Sequence, residues 1–364
     1  MKKTHHQNTK ELPQLFLDRL KIIVGPSFFS DVQKTFIARA TTFRINRLKK
    51  LKEIEEIKEL LINQGFQLKQ VAWYKDAFVL LNKSKRELTE LDIYKEGKIY
   101  VQSLASMVPP LVLDPKPGEK VLDLTAAPGS KTSQMAAMME RTGELVANDM
   151  DKVRFFKLQH NMELLGATLS PPCEGGGRGW LSRETTPASP PSGGSASSPS
   201  KGVDSVTIPW QFTLRMESGW KLCSEYPEYF DKILLDAPCS AEARFVDGDP
   251  RSYSYWSERK IKEMVATQWR LLLAAWYALA PGGTLVYSTC TFAPEENEYQ
   301  VSKFFEKVGN AAIEKVEIEG LKRLPIVKEW KGKPVNPETK KCLRVYPTKE
   351  IEGFFVAKMQ KVET

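Results

Sequence analysis

The stretch VLDLTAAPGSKT, residues 121–132, decides the fold. An apolar run ends in Asp123, Leu124 and Thr125, passes through small residues and Pro128, and continues into helix formers. KVLDLT (120–125) therefore predicts a strand and SKTSQMAAMME (130–140) a helix. Ala126, Ala127 and Gly129 let a ligand approach the backbone closely, and the first amides of the following helix favour negative charge. In an open sheet, the carboxyl end of the first strand is where nucleotides bind. The spacing to Lys131 is not that of a P-loop, and there is no G-x-G-x-x-G. An ordinary tight β–α turn would read the same way. Asp149, ending the next strand GELVAND (143–149), adds an acid able to accept from both ribose hydroxyls. Together the two point to an adenosine-containing cofactor.

Working outward, the rhythm repeats. DKVRFFKLQHNMELLG (151–166) predicts a helix, FDKILLD (230–236) a strand, KIKEMVATQWRLLLAAWYALA (260–280) a helix and GGTLVYSTC (282–290) a strand. Pro281-Gly282-Gly283 stops the long helix. Such alternation predicts an α/β fold with a mostly parallel sheet covered by helices. CLRVYPTKEIEGFFVAKMQK (342–361) reads as a hairpin at the sheet edge. Upstream, residues 11–40 have helical spacing, TTFRINRLKK (41–50) and VAWYKDAFVLLN (71–82) read as strands, and LKEIEEIKELLINQGF (51–66) as a helix capped by Gly65. The expected division is an N-terminal basic α+β domain over 1–105 and a larger α/β domain over 106–364. Residues 170–202, rich in Ser, Pro and Gly, interrupt the second as an expected disordered insertion, too poor in apolar groups to offset ordering entropy.

At 364 residues and 41% hydrophobic, the chain can bury a sizeable core. Its longest apolar run, LLLAAWYALA (271–280), is about half a membrane span. MKKTHHQNTK at the start has no apolar h-region, so no secretory signal is read and a cytoplasmic location is expected. Five cysteines without paired spacing argue for a reducing compartment. His5, His6 and His160 do not cluster with them, so no metal is expected. Residues 1–105 hold 20 Lys+Arg against 12 Asp+Glu, which accounts for the whole net charge of +8. A basic excess at one end suits a polyanion such as a nucleic-acid backbone, or is simply a solvated basic surface.

Two cysteines sit where strands end. Asp236, Pro238 and Cys239 lie in LLDAPCSAEARF (234–245), and Cys290 in LVYSTCTFAPEENE (285–298). A lone cysteine is usually a small core filler. Ends of parallel strands share one rim, however, so these two thiols can face one ligand, one attacking and the other aiding release. Glu295, Glu296 and Glu298 stand at a helix start, where capping and ligand contact are both open.

LDLTAAPGSKT, FDKILLDAPCS and LVYSTCTFAPEENE together resemble the motifs of the RNA cytosine-5 methyltransferases of the NOL1/NOP2/Sun (RsmB/NOP) family. The resemblance runs from RINRLK (44–49) to EGFFVAK (352–358). It implies a class I S-adenosylmethionine-dependent methyltransferase fold behind a small domain resembling an RNA-recognition fold, with RNA as the partner. By resemblance, Cys290 is the nucleophile toward cytosine C6 and Cys239 helps remove the C5 proton. Asp236 holds the cytosine edge, with Lys131 close to the base. Implied cofactor contacts are Thr125, Ala126, Ala127, Pro128, Gly129, Ser130, Lys131, Asp149, Arg154, Ser218 and Asp236. The chain departs from the family at Thr125, usually Cys, and at Ser130, usually Gly. Ser218, beside Glu217, stands where an adenine-side acid is usual. AEARF after the PCS motif makes a bulkier lip carrying Arg244. No added C-terminal RNA-binding domain is recognisable, which favours ribosomal over transfer RNA; a monomer without membrane or metal is expected. Alternatives are a tRNA cytosine-5 methyltransferase, a DNA cytosine-5 methyltransferase, whose nucleophile lies in a PC motif without the TC partner, and a non-catalytic RNA-binding or ribosome-assembly protein on the same fold.

Overall fold

The computed structural model describes residues 11–49, 54–169 and 209–363. The expected insertion at 170–202 lies outside the described residues.

The chain begins with α1 (Gln14–Val24) and α2 (Pro26–Gln33). A four-stranded antiparallel sheet follows: β1 (Thr42–Ile45), β2 (Leu68–Val71), β3 (Tyr74–Leu80) and β4 (Ile99–Val101), in the order β2-β3-β1-β4. Helices α3 (Ile54–Asn63), α4 (Lys85–Glu90) and α5 (Asp92–Lys95) lie between its strands. Phe43, Phe78, Ile57 and Leu61 form the core of this module. Its other face meets α6 (Leu104–Leu113), where Ala77 and Val79 pack with Leu104 and Val108.

The larger sheet is built from β5 (Lys120–Asp123), β6 (Glu144–Asn148), β7 (Gln211–Arg215), β8 (Phe230–Asp236) and β9 (Leu279–Thr289), all parallel. Helices α7 (Ser130–Met138), α8 (Lys152–Leu165), α9 (Gly219–Ser224) and α10 (Glu258–Ala278) connect them. After β9 come α11 (Glu298–Val308), β10 (Ala311–Glu314), β11 (Arg323–Leu324), the small hairpin β12 (Glu329–Trp330) and β13 (Lys333–Pro334), then β14 (Leu343–Val345) and β15 (Phe354–Lys361). The order is β11-β14-β15-β9-β8-β5-β6-β7. The chain runs outward from β5 through β6 to β7, then returns to the other side of β5 as β8. Between β5 and β8 the connections diverge, and a crevice opens at the carboxyl ends of the strands.

Three expectations change. The 342–361 hairpin forms, but β15 is not an edge strand: it pairs antiparallel with β9 on one side and with β14 and β10 on the other. Its apolar run buries on both faces, which an edge position would not allow. Helices α1 and α2 do not pack with the 42–101 sheet. Phe16, Leu20 and Phe36 join Phe245, Tyr253, Phe292 and Trp330 instead. RINRLK is also less of a nucleic-acid surface than its charge suggests. Arg44 is fully buried, bonding Gln102 and Ser133, and Asn46 donates to the carbonyl of Leu165 at 2.8 Å. The motif thus docks the small sheet onto α7 and α8. Among the described residues no helix is long and apolar enough to cross a membrane.

Candidate active site

A cleft of 980 Å³ opens over the carboxyl ends of β5, β6, β8 and β9. One wall comes from Lys85, Tyr100 and Gln102 of the N-terminal module, so the site lies at the junction of both parts.

The cofactor side starts where β5 ends. Gly129 has φ +100°, a conformation that side chains rarely adopt, and a Cβ there would also crowd Met162 and Leu158 of α8, so the turn favours glycine. Thr125 donates to the Asp236 carbonyl at 2.9 Å, tying β5 to β8. Asp149 is buried, its two oxygens accepting from the amides of Ala127 at 3.2 Å and Asp151 at 3.1 Å. Arg154 bridges Asp149 Oδ2 at 3.3 Å and the Ala127 carbonyl at 2.7 Å. Thr125, Ala126, Ala127, Pro128, Ser130, Lys131, Asp149, Arg154 and Asp236 all line the cleft. Ser218 does not: its hydroxyl turns away to cap α9, accepting from the Lys221 amide, and the wall is formed by Glu217 and Gly219. Arg215, then Lys221, hold the Glu217 carboxyl below its ordinary range. Sequence reading missed Asp123. Thr132 donates to its Oδ2 at 2.7 Å, while the buried Oδ1 has no partner among the described protein groups. Burial pushes this acid up to about 7. An orphaned acid oxygen in the cleft wall and a buried ribose-type acid at Asp149 fit a ligand with donors at both ends, as S-adenosylmethionine has.

The two cysteines converge. Cys239 and Cys290 Sγ lie 3.4 Å apart, both half-buried on the cleft wall, although 51 positions separate them in the chain. A hydrogen bond from Cys239 is the main cause pulling the Cys290 thiol down to about 7, against burial, with Arg244 helping. The same bond, then burial, raises Cys239. The pair therefore favours the thiolate on Cys290 and the thiol on Cys239. Asp236 stands beside them, with Lys131 Nζ on Oδ2 at 2.7 Å and the Ser288 hydroxyl on Oδ1 at 2.8 Å. Lys131 is further held by Ser106 at 2.8 Å. No local sequence signal marks Ser106, because it reaches the site from α6 through the fold.

Arg244 lines the cleft, and no carboxylate among the described residues lies within ion-pair distance of it. Its neighbours are pinned: Glu242 is buried, Phe245 is buried, and the Ala243 amide donates to the Cys290 carbonyl at 3.1 Å. Removing this cation with Arg244→Ala is expected to raise the pH midpoint of Cys290 alkylation and slow it about threefold at pH 7, read by iodoacetamide labelling.

The glutamates of PEENE do more than cap a helix. Arg19 of α1 binds Glu295 at 2.8 Å and Glu258 at 3.0 Å, Glu296 accepts from the Ser240 amide at 3.0 Å, and Glu298 is buried against Arg344. Each draws a different segment onto the loop carrying Cys290. That explains why α1 packs here rather than on the N-terminal sheet. Among the described residues, no group of three metal-ligating side chains could hold a metal ion.

Comparison with known proteins gives the chain's relatives. The family profile described as 16S rRNA methyltransferase RsmB/F matches residues 110–178 and 206–360. A tRNA (cytosine(49)-C(5))-methyltransferase of Pyrococcus abyssi is 34% identical over 321 residues, covering 88% of each chain. Ribosomal RNA small subunit methyltransferase F of Pectobacterium atrosepticum is 32% identical over 362 residues; these cover 96% of this chain but only 63% of that relative. The chain thus spans less than two thirds of the rRNA-directed relatives it matches. The crystal structure of a methyltransferase homologue from Pyrococcus horikoshii superposes with a TM-score of 0.73 at 28% identity, over 97% of this chain and 96% of that one. A parallel sheet with its crevice at the β5/β8 switch point, and matching sequence over most of its length, show that the chain belongs to the RsmB/F methyltransferase family.

Proposed function

We propose that this protein methylates C5 of a cytosine in RNA through a transient covalent bond between Cys290 and C6, resolved by Cys239. The observation that carries this reading is the 3.4 Å approach of two strand-end thiols beside Asp236 and Lys131. When bound, S-adenosylmethionine supplies an electrophilic methyl group. The chain's own residues do the rest. Cys290, whose thiol is pulled down by its bond to Cys239, adds to C6 as the thiolate and makes C5 nucleophilic. Asp236, oriented by Lys131 and Ser288, holds the edge of a base flipped out of its stack. Bonding of Cys290 to carbon removes the anion that kept the proton on Cys239. Cys239 then gives that proton to solvent and accepts the one on C5, and β-elimination frees Cys290.

Support for ribosomal RNA comes from the matching profile and the Pectobacterium relative, and for transfer RNA from the Pyrococcus abyssi relative. We take rRNA as the leading substrate and tRNA as the alternative. Bisulfite sequencing of total RNA from cells with and without the gene assigns the nucleotide. A lost signal in tRNA overturns the rRNA choice, and transfer of label from S-adenosylmethionine to DNA but not RNA overturns the whole reading. Asp149→Ala is expected to weaken S-adenosylmethionine binding about 10- to 100-fold by calorimetry, the worth of hydrogen bonds to a charged acceptor.

A further inference from the structure

Beneath the two cysteines lies a buried chain of four side chains. Ser240 follows Cys239 and Thr291 follows Cys290, and their hydroxyls meet at 2.7 Å. Ser240 Oγ also contacts Glu296 Oε1, and Thr291 Oγ1 contacts Glu242 Oε2 at 3.0 Å. All four residues are buried. The chain therefore has three oxygen–oxygen links, Glu296–Ser240, Ser240–Thr291 and Thr291–Glu242. Each link needs one proton, and two hydroxyls supply only two. The third must sit on a carboxyl.

The other contacts say which one. Glu242 Oε2 already accepts from the Phe292 amide at 3.2 Å, and Oε1 from Trp256 Nε1 at 2.9 Å. Glu296 Oε2 accepts from the Ser240 amide at 3.0 Å and Gln268 Nε2 at 2.8 Å, but Oε1 touches Ser240 Oγ alone. Thr291 Oγ1 also accepts from the Ala293 amide at 3.2 Å, and its single proton can serve only one of its two links, so the direction of the chain is set by the carboxyl oxygen that lacks any N–H donor, Glu296 Oε1. We propose that Glu296 is a protonated positioning residue, whose Oε1–H starts a one-directional hydrogen-bond chain through Ser240 and Thr291 to the Glu242 carboxylate and so holds the two sulfurs together. This deepens the two-thiol reading above and rests on it. Burial, with the Glu242 charge contributing, pushes Glu296 up to about 8; burial also raises Glu242, but Trp256 and Arg19 pull it back, which agrees with the proton count. An ionised Glu296 would leave one link without a proton, two oxygens facing each other in a dry site, and the segments carrying the cysteines would part.

The test uses the free protein, without RNA or S-adenosylmethionine, so it stands or falls separately from the methylation itself. A folded-state carboxyl raised from 4.5 to about 8 contributes stability that is complete below about pH 4.5 and is lost as pH rises through 8. Glu296→Gln keeps a donor toward Ser240 Oγ and an acceptor for the Ser240 amide, but cannot titrate. Relative to it, the wild-type protein should lose stability steadily between about pH 4.5 and 8. Alkylation of Cys290 at pH 7 should stay within about twofold of wild type in Glu296→Gln and fall about tenfold in Glu296→Ala. Thr291→Val, which takes one donor from the Glu242 carboxylate but leaves it the Phe292 amide and Trp256, should slow alkylation similarly should Glu296→Ala not fold. Parallel stability curves for wild type and Glu296→Gln overturn the proposal, as does a Glu296→Gln protein as slow to alkylate as Thr291→Val.

Discussion

Replacing Cys290 with alanine is expected to lower methyl transfer to RNA by about 10⁴-fold or more, because the other thiol on the cleft wall, Cys239, is raised by its bond to Cys290 and by burial, and is placed to move a proton rather than to attack. Transfer of tritium from labelled S-adenosylmethionine measures it, and calorimetry of cofactor binding on the same variant separates lost chemistry from lost fold. In the wild-type protein the rate should rise with pH through about 7, as Cys290 gives up its proton, and fall tenfold per pH unit well below that. A Cys290→Ala protein keeping even a tenth of the activity would mean that the attacking group lies elsewhere. The first suspect would then be Cys239, the order that a DNA-type enzyme uses.

Cys239→Ala has the opposite signature. The adduct forms but is resolved slowly, because the sulfur placed to take the C5 proton is gone and Asp236 is engaged by Lys131 and Ser288. A protein–RNA band that survives denaturing electrophoresis should accumulate, and it should vanish in the Cys239→Ala, Cys290→Ala double variant. The single variant also loses the hydrogen bond that is the main cause of the lowered Cys290 value, so its adduct should form more slowly at pH 7 and recover at higher pH. Absence of any stable adduct, with turnover near wild type, would show that Cys239 is only a hydrogen-bond partner.

Several features of this site were legible in the order of residues. VLDLTAAPGSKT announces its strand, turn and helix because each is a local matter of apolar spacing, small side chains and backbone freedom. That Cys239 and Cys290 share a rim also follows from sequence, since the ends of parallel strands in one sheet come together whatever the loops between them do. Four of the five parallel strands between 120 and 290 are equally readable, because burial on both faces demands continuous apolar runs; β7, a half-exposed edge strand, has none.

Other features had no local signature. Arg44 counts toward the basic excess of residues 1–105, yet the fold closes over it and its guanidinium bonds Gln102 and Ser133. Ser218 reads as the adenine-side group, yet its hydroxyl is used as a helix cap. Glu296 reads as a helix start, yet it lies fully buried under Ser240, 56 positions away.

The amino-acid order by itself determined the parallel α/β core, the nucleotide-type turn at 125–131 and the convergence of two thiols, because these depend on periodicity and on strand polarity. Only the tertiary structure decided which charges are spent inside the protein, which acids are buried together and how close the sulfurs lie. Those depend on burial and on contacts between residues tens to hundreds of positions apart, where free energies are set by neighbours that no local pattern names.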